Sequence, residues 1–342
     1  MATISQRGDG QWQTKIRKQG YPSVSKTFTN KRDAESWSRK TESEIERGTW
    51  RDSSEAESTT LADALTRYQA EIVVNKKGAT KEASVVRMWT DTALAKNALA
   101  RIRGADLAKL RDAWLAADYA PATVVRRLAV LSHLFSMARK EWGMEGLINP
   151  VESIKKPTIN NERTRRVLED EINRVNRATG SVILPSLITI GVETAMRREE
   201  IAFLEWKHID LKNRTAHIPN TKNGYARTVP LSSIAVGVFE KLVRNISGRV
   251  FNITPDAITR AFTRATTRAR EGYEKECEER GVEPDANFLV DMIFHDLRHE
   301  ATTRLADKFA LHELAKITGH RDTRMLLRYY HPRAEDLAKR LA

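Results

Sequence analysis

The chain has 342 residues, 40% of them hydrophobic. That is enough for two or three globular cores and too apolar for wholesale disorder. A formal net charge of +13 points to a polyanionic partner, with nucleic acid ahead of an anionic membrane surface. No run of about 18 continuous apolar residues is present to span a bilayer. The N-terminal residues lack a secretory core, which sets the expectation of an intracellular protein. The one cysteine, Cys277, excludes an intrachain disulfide and a cysteine zinc cluster; in the charged run EKECEERG it reads as a passive thiol.

Residues 1–52 open with GDGQWQTKIRKQGYPSVSKTFTN. Glycine and proline punctuate short alternating runs, which predicts about three antiparallel strands. A helix follows, with Asn30 as N-cap, Ala34, Trp37 and Ile45 as apolar positions, and Gly48 as the stop. Lys15, Arg17, Lys18 and Lys26 fall on or beside the strands and are candidate contacts for nucleic acid. Residues 51–59, RDSSEAEST, read as a polar linker. Helical patterns beginning at the cap Thr60 and covering 81–97, 104–117 and 121–142 make 60–150 a four-helix unit, with Arg126 and Arg127 as candidate DNA contacts. Pro150, Pro157 and Asn160–Asn161 mark a boundary whose Lys155 and Lys156 suit a segment lying along a phosphate backbone.

From 163 to 342 the chain is again mostly helical. The exception is IDLKNRTAHIPNTKNGYARTVPLS at 209–232, which alternates and carries Asn223–Gly224, predicting a hairpin or small sheet. Trp206 reads as core, MWTDTALAKNALARI as amphipathic packing or subunit contact, and PRAEDLAKRLA as a terminal helix. Lys and Arg outnumber Asp and Glu in each of the stretches 1–52, 53–157 and 158–342. No single basic tail carries the charge, so each part is a candidate for contact with the polyanion.

Four stretches carry chemistry-bearing residues: ETAMRREEIAFLEWKHID with Arg197 and Glu200, NTKNGYARTVPLS with Lys222, FHDLRHEATTRL with His295, Arg298 and His299, and ITGHRDTRMLLRYYHP with His320, Tyr329 and Tyr330. Each alone is weak, since a lone arginine is usually solvated and a hairpin lysine usually exposed. Together, in this order, they resemble the tyrosine recombinases, and among them the phage-type integrases. Arg197 and Glu200 match the arginine box, Lys222 the hairpin lysine, and His295, Arg298 and His299 the H-x-x-R-H pattern. His320 stands in Thr-Gly-His nine positions before Tyr329. Ala195 stands where the family pattern commonly has glycine, and Thr318 where it commonly has leucine.

The resemblance implies a mainly α fold with small β-sheets. It divides into an arm-site-binding-like module at 1–52, a helical core-site DNA-binding domain at 60–150 and a catalytic domain at 163–342. It implies a site-specific recombinase of a phage or genomic island that cuts and rejoins DNA through a 3′-phosphotyrosyl intermediate, needing no cofactor or metal. The residue types fit that chemistry. A pentacoordinate phosphorus adds negative charge on non-bridging oxygens, so catalysis is positioning and charge stabilisation. Arginine is always protonated and holds two oxygens at once. Arg197 and Arg298 take that role, and His320 donates to the same oxygens. A tyrosine, with an ordinary pKa of about 10, needs a base, for which His295 is the candidate. Lys222 is the candidate acid for the departing 5′ oxygen. Glu200, three residues after Arg197, buttresses it, and His299 either supports the site or meets phosphate. Tyr329 is the expected nucleophile and Tyr330 a packing neighbour, because adjacent side chains on a helix diverge by about 100°.

The implied partners are double-stranded DNA at core and arm sites, a homotetramer on synapsed DNA assembled from monomers, a host DNA-bending protein and a directionality factor. The implied place is the cytoplasm of a bacterial host, at the nucleoid. A type IB topoisomerase-like nicking-closing enzyme shares the side-chain set, but the two-part DNA-binding front end argues against it. A non-catalytic DNA-binding regulator is disfavoured by the complete catalytic set.

Overall fold

The computed structural model describes residues 2–160, 163, 165–219 and 224–330. The chain forms two compact units, 1–161 and 162–342. No helix among the described residues is long and apolar enough to cross a membrane.

The first unit begins with strands β1 (Ala2–Gly8), β2 (Gln11–Ile16) and β3 (Val24–Phe28), an antiparallel sheet in that order. Alternation puts Thr14 and Ile16 on the face covered by helix α1 (Lys31–Glu46). The helix answers with Ala34, Ser38, Thr41 and Ile45, spaced to share one side. Asn30 caps α1, its side chain accepting from Asp33 N–H at 2.8 Å. The segment expected as an irregular linker contains a short helix, α2 (Ser54–Ser58), because Ala56 is buried in the neighbouring helical core.

Helices α3 (Leu61–Glu71), α4 (Ala79–Thr90), α5 (Gly104–Ala116) and α6 (Pro121–Glu141) are the four expected. They bury Trp89, Tyr68, Leu128, Leu131 and Phe135. Thr60 and Asp63 form a reciprocal cap at the start of α3. The helix expected over 81–97 stops at Thr90. Beyond it the chain runs back to meet the start of α3: the Asn97 carbonyl accepts from Leu61 N–H and Leu99 N–H donates to the Thr59 carbonyl. These bonds satisfy backbone groups at a helix start that would otherwise lack partners.

The second unit contains α7 (Glu169–Ala178), α8 (Leu184–Thr194), α9 (Arg198–Ala202), a sheet of β4 (Ile209–Asp210), β5 (Thr215–Ile218) and β6 (Arg227–Pro230), then α10 (Ser233–Lys241), α11 (Pro255–Glu279), α12 (Phe294–Ala306), α13 (Leu311–Thr318) and α14 (Arg324–Leu327). The alternating stretch at 209–232 is therefore a three-stranded antiparallel sheet. Leu187, Ile188, Phe239, Phe262 and Leu297 belong to one core. Trp206 packs edge-on against Phe239, and Cys277 is buried on α11. Three arginines before α7 anchor the unit through buried carboxylates: Arg163 on Asp296 at 2.7 Å, Arg165 on Glu171 at 2.5 Å and Arg166 on Glu300 at 2.8 Å. Asp296 and Glu300 bracket Arg298 and His299 on α12, so these pairs fix the helix that carries both residues.

Candidate active site

Helix α8 ends in a left-handed residue, Ala195, with φ +52°. The chain turns there, and Arg197 becomes the N-cap of α9 with Glu200 at its third position. Arg197 donates to Glu200 through its backbone N–H at 2.8 Å and its guanidinium at 2.9 Å. A second arginine, Arg227 on β6, forks onto the same carboxylate at 2.8 and 2.6 Å and donates from Nε to the Ile317 carbonyl at 2.8 Å. Burial acts to raise the Glu200 pKa. The Arg227 fork, the Arg197 N–H and the Arg197 charge outweigh it and hold the carboxyl at about 2. Glu200 is thus a permanent anion between two guanidinium groups, which leaves it no proton to transfer.

Arg298 is 4% exposed on α12. It donates to the Ala195 carbonyl and, at 2.7 Å, to the Thr318 carbonyl. Burial, then the nearby Arg197, pushes its pKa down to about 9, so it remains charged at neutral pH. The backbone turns after α8 and α13 therefore aim this guanidinium. Helix α13 ends at Gly319, φ +71°, where a Cβ would lie 3.1 Å from Arg227 Cδ. Glycine meets both the left-handed conformation and the close approach. His320 follows, its Nδ1 2.7 Å from Thr318 Oγ1. Burial and the charges of Arg298, Arg197, Arg227 and Arg328 press its pKa down to about 4, so it is neutral in the free protein. Tyr225, Arg227, Lys316, Gly319, His320 and Arg321 line an open cavity of about 620 Å³.

Tyr329 and Tyr330 continue the turn of α14, their N–H groups donating to the Leu326 and Leu327 carbonyls. They diverge as helix geometry requires. Both rings pack against the cluster of Ala306, Leu314 and Leu326, but their hydroxyls part: that of Tyr330 donates to the Phe309 carbonyl at 2.6 Å. Burial raises its pKa. Tyr329 Oη lies 2.5 Å from His299 Nδ1 and accepts from Arg328 at 3.1 Å. Burial, then Arg328, lowers the His299 pKa, which favours the neutral ring, and Arg328 also reaches its Nδ1 at 3.1 Å.

This differs from the sequence expectation: the imidazole against Tyr329 is His299, and His295 stands with its ring centroid 5.0 Å from that of His299. One helical turn brings His299 toward α14, while His295 sits in the first turn of α12. Burial first, then the proximity of His299 and of the Arg298 charge, lowers its pKa to about 4. Lys222 lies outside the described residues, as does PRAEDLAKRLA.

The structure thus gathers Arg197, Glu200, Arg298, His299, His320 and Tyr329, and adds Arg227 and Arg328, which the sequence motifs did not single out. The only sequence signal for Arg227 was an arginine inside an alternating run, and for Arg328 a cation beside the tyrosine. No group of three or more His, Cys, Asp or Glu that could hold a metal ion occurs among the described residues.

The candidate DNA contacts in the first unit divide by face. Lys15 points away from α1, because Thr14 and Ile16 point toward it. Lys26 pairs across the sheet with Thr14 and bridges to Glu57 at 3.1 Å, so it lies on the opposite face from Lys15. Arg17, Lys18, Arg126, Lys155 and Lys156 are exposed. Arg127 stacks over Trp114 and Tyr119, 4.8 and 4.0 Å from their ring centroids.

Residues 165–336 match the profile of the phage integrase family. A shufflon-specific DNA recombinase of Escherichia coli is 36% identical over 82% of this chain and 71% of its own length. A putative integrase/recombinase of Haemophilus influenzae is 32% identical over 99% of this chain and 89% of its own. The solved structure of a lambda integrase tetramer bound to a Holliday junction superposes with a TM-score of 0.61 at 17% identity, covering 94% of this chain and 96% of that one, a likeness of fold.

Proposed function

The chain belongs to the phage integrase family and is a tyrosine-type site-specific DNA recombinase, and on that premise we propose that Tyr329 is its nucleophile. The observation carrying this is the bond from Tyr329 Oη to His299 Nδ1 at 2.5 Å, with Arg328 donating to the same oxygen. Tyr329 Oη attacks the scissile phosphorus as its proton passes to His299. The Oη–P bond forms, the P–O5′ bond breaks, and Lys222 supplies the proton to the departing 5′ oxygen. Arg197 and Arg298 hold the non-bridging oxygens, with His320 beside them. Glu200 and Arg227 orient Arg197. His295 lines the phosphate side of α12. A phosphotyrosyl bond conserves the energy of the diester, so a second 5′ hydroxyl reseals it.

The same proposal assigns 163–342 to catalysis, 60–150 to the core site and 1–52 to arm sites. Lys15, Arg17, Lys18, Arg126, Lys155 and Lys156 contact phosphate, and Lys26 does so on leaving Glu57. The partners are duplex DNA, three further copies of the chain on synapsed DNA, and a bending protein and directionality factor from the host or element. The lambda integrase tetramer on a Holliday junction supports four-fold assembly by analogy of fold. A nicking-closing enzyme would act as a monomer, so junction formation by a tetramer separates the two.

The test is a nicked duplex carrying the element's core site, incubated without metal or ATP. A denaturant-stable DNA–protein adduct is expected from the wild type and Tyr330→Phe, and none from Tyr329→Phe. An adduct from Tyr329→Phe refutes the assignment. Binding should weaken with salt, at a log–log slope of roughly −0.9 per phosphate neutralised.

A further inference from the structure

Thr318 closes α13 and is fully buried. Its Oγ1 lies 2.7 Å from the Leu314 carbonyl oxygen and 2.7 Å from His320 Nδ1. A hydroxyl has one proton to give. A carbonyl oxygen only accepts, so the Leu314 contact takes that proton. The contact to His320 is then a hydrogen bond only if Nδ1 carries hydrogen and donates to Thr318 Oγ1. Turning the hydroxyl toward Nδ1 instead leaves two oxygens at 2.7 Å with no proton between them.

We infer that Thr318 is a positioning residue that keeps the proton of neutral His320 on Nδ1, so that Nε2 is an acceptor in the free protein and donates to a phosphodiester only after gaining a second proton. This rests on the reading of His320 as a phosphate contact. The groups facing His320 come from every neighbouring element: Arg197 at α9, Arg227 on β6, Arg298 on α12 and Arg328 after α14. Lys316 and Arg321 share its cavity. Glu200, among these guanidinium groups, is already committed to Arg197 and Arg227, and Asp322, two residues on, is paired with Arg324. With these carboxylates paired, the cationic surroundings keep the ring neutral. A phosphodiester entering the cavity supplies the missing negative charge, Nε2 takes a proton from solvent, and Thr318 Oγ1 goes on accepting from Nδ1–H. DNA engagement and proton uptake are thereby coupled at one ring. The substitution of threonine for the leucine common in the family pattern introduces the oxygen that does this.

The experiment reads the tautomer directly. The full chain is labelled with 15N-histidine, and His320 is assigned by loss of its signals in His320→Gln. Near pH 7 without DNA, Nδ1 is expected to show the shift of a protonated nitrogen and Nε2 that of a bare one. Thr318→Ser should keep this pattern. Thr318→Val, of similar shape, should move the proton to Nε2. An Nε2–H ring in the wild type, or an unchanged tautomer in folded Thr318→Val, overturns the inference. If the valine variant does not fold, the wild-type and serine spectra still decide. The functional arm is adduct formation on the nicked duplex from about pH 6 to 9. The wild-type rate should fall toward high pH as the second proton is lost. Thr318→Val already donates from neutral Nε2, so it should retain about threefold more of its rate there, and an equal decline in both counts against the coupling. Absence of any wild-type adduct would sink the proposed function and leave the tautomer result standing.

Discussion

Among the described residues, two tyrosines, one in each unit, touch the Nδ1 of a histidine and a cationic side chain. Tyr68 lies 2.7 Å from His133 Nδ1 and 2.8 Å from Lys76 Nζ. Tyr329 lies 2.5 Å from His299 Nδ1 and 3.1 Å from Arg328. The difference is a carboxylate. Tyr68 is fully buried and donates to Glu82 at 2.6 Å. Burial first, and Glu82 next, raise its pKa far above that of an ordinary tyrosine. Its proton is locked, and the cluster serves as a satisfied polar joint between α3, α4 and α6. Tyr329 is half-buried, its hydroxyl faces a neutral imidazole, and the charges around it are guanidinium groups. An anion formed at its Oη meets attraction rather than repulsion. A tyrosine–histidine contact therefore does not by itself make a nucleophile; the sign of the next charge decides.

The largest effect expected is all-or-none. Tyr329→Phe should give no adduct. Tyr68→Phe should still give one, while losing about 1–3 kcal/mol of stability because Glu82 and Lys76 keep their burial without the hydroxyl. Denaturant midpoints measure the second effect, and a folded Tyr68→Phe without adduct would break the comparison. The histidines should divide the same way. His299→Gln removes the proton acceptor and should slow adduct formation by about 100-fold or more. His133→Gln should leave the single-turnover rate within about twofold, since nothing in the joint exchanges a proton.

Two carboxylates, the buried Glu200 and the partly buried Glu82, sharpen the contrast through pH. Glu200 has a folded pKa of about 2 against an ordinary 4.5. A depressed carboxylate stabilises the fold above its unfolded pKa and loses that contribution as pH falls through the folded one. The window is thus pH 4.5 down to 2, and the contribution at neutral pH is about 3 kcal/mol. Glu200→Gln should lose about that much and flatten the acid limb of an unfolding profile, and an unchanged limb would deny Glu200 this part. The Glu82 pKa is also lowered, by Lys76 and Tyr68 working against burial, so Glu82→Gln should flatten the limb less.

How much of this was legible in the sequence follows from spacing. Arg197 and Glu200 are three apart on one short helix, and His295, Arg298 and His299 share α12, so helical geometry nearly dictates their neighbourhood. The divergence of Tyr329 and Tyr330 followed from the same geometry. What spacing cannot give is a partner from another element. Arg227 reaches Glu200 across 27 positions and Tyr68 reaches His133 across 65. Which imidazole meets Tyr329 depends on how α14 packs against α12, and only the folded chain decides that. Likewise, nothing local in 81–97 revealed that Asn97 would be needed at the start of α3.

The smallest effect concerns strain. Asp118 and Ala195 both leave a helix in the left-handed region, at φ +59° and +52°. Aspartate tolerates that conformation and Asp118 is exposed, so Asp118→Gly should change stability by no more than a few tenths of a kcal/mol. Alanine does not tolerate it, at a cost of about 1–2 kcal/mol, yet Ala195 is fully buried and its carbonyl receives Arg298. Ala195→Gly relieves the strain, loses about 0.8 kcal/mol of methyl burial, and frees an unfolded chain that must be ordered again. The balance is a stabilisation of about 0.5 kcal/mol at most, with the adduct rate unchanged because the carbonyl stays where it is. Destabilisation by more than about 1 kcal/mol would mean that the packing of the Ala195 methyl, rather than its backbone angle, holds the turn that aims Arg298.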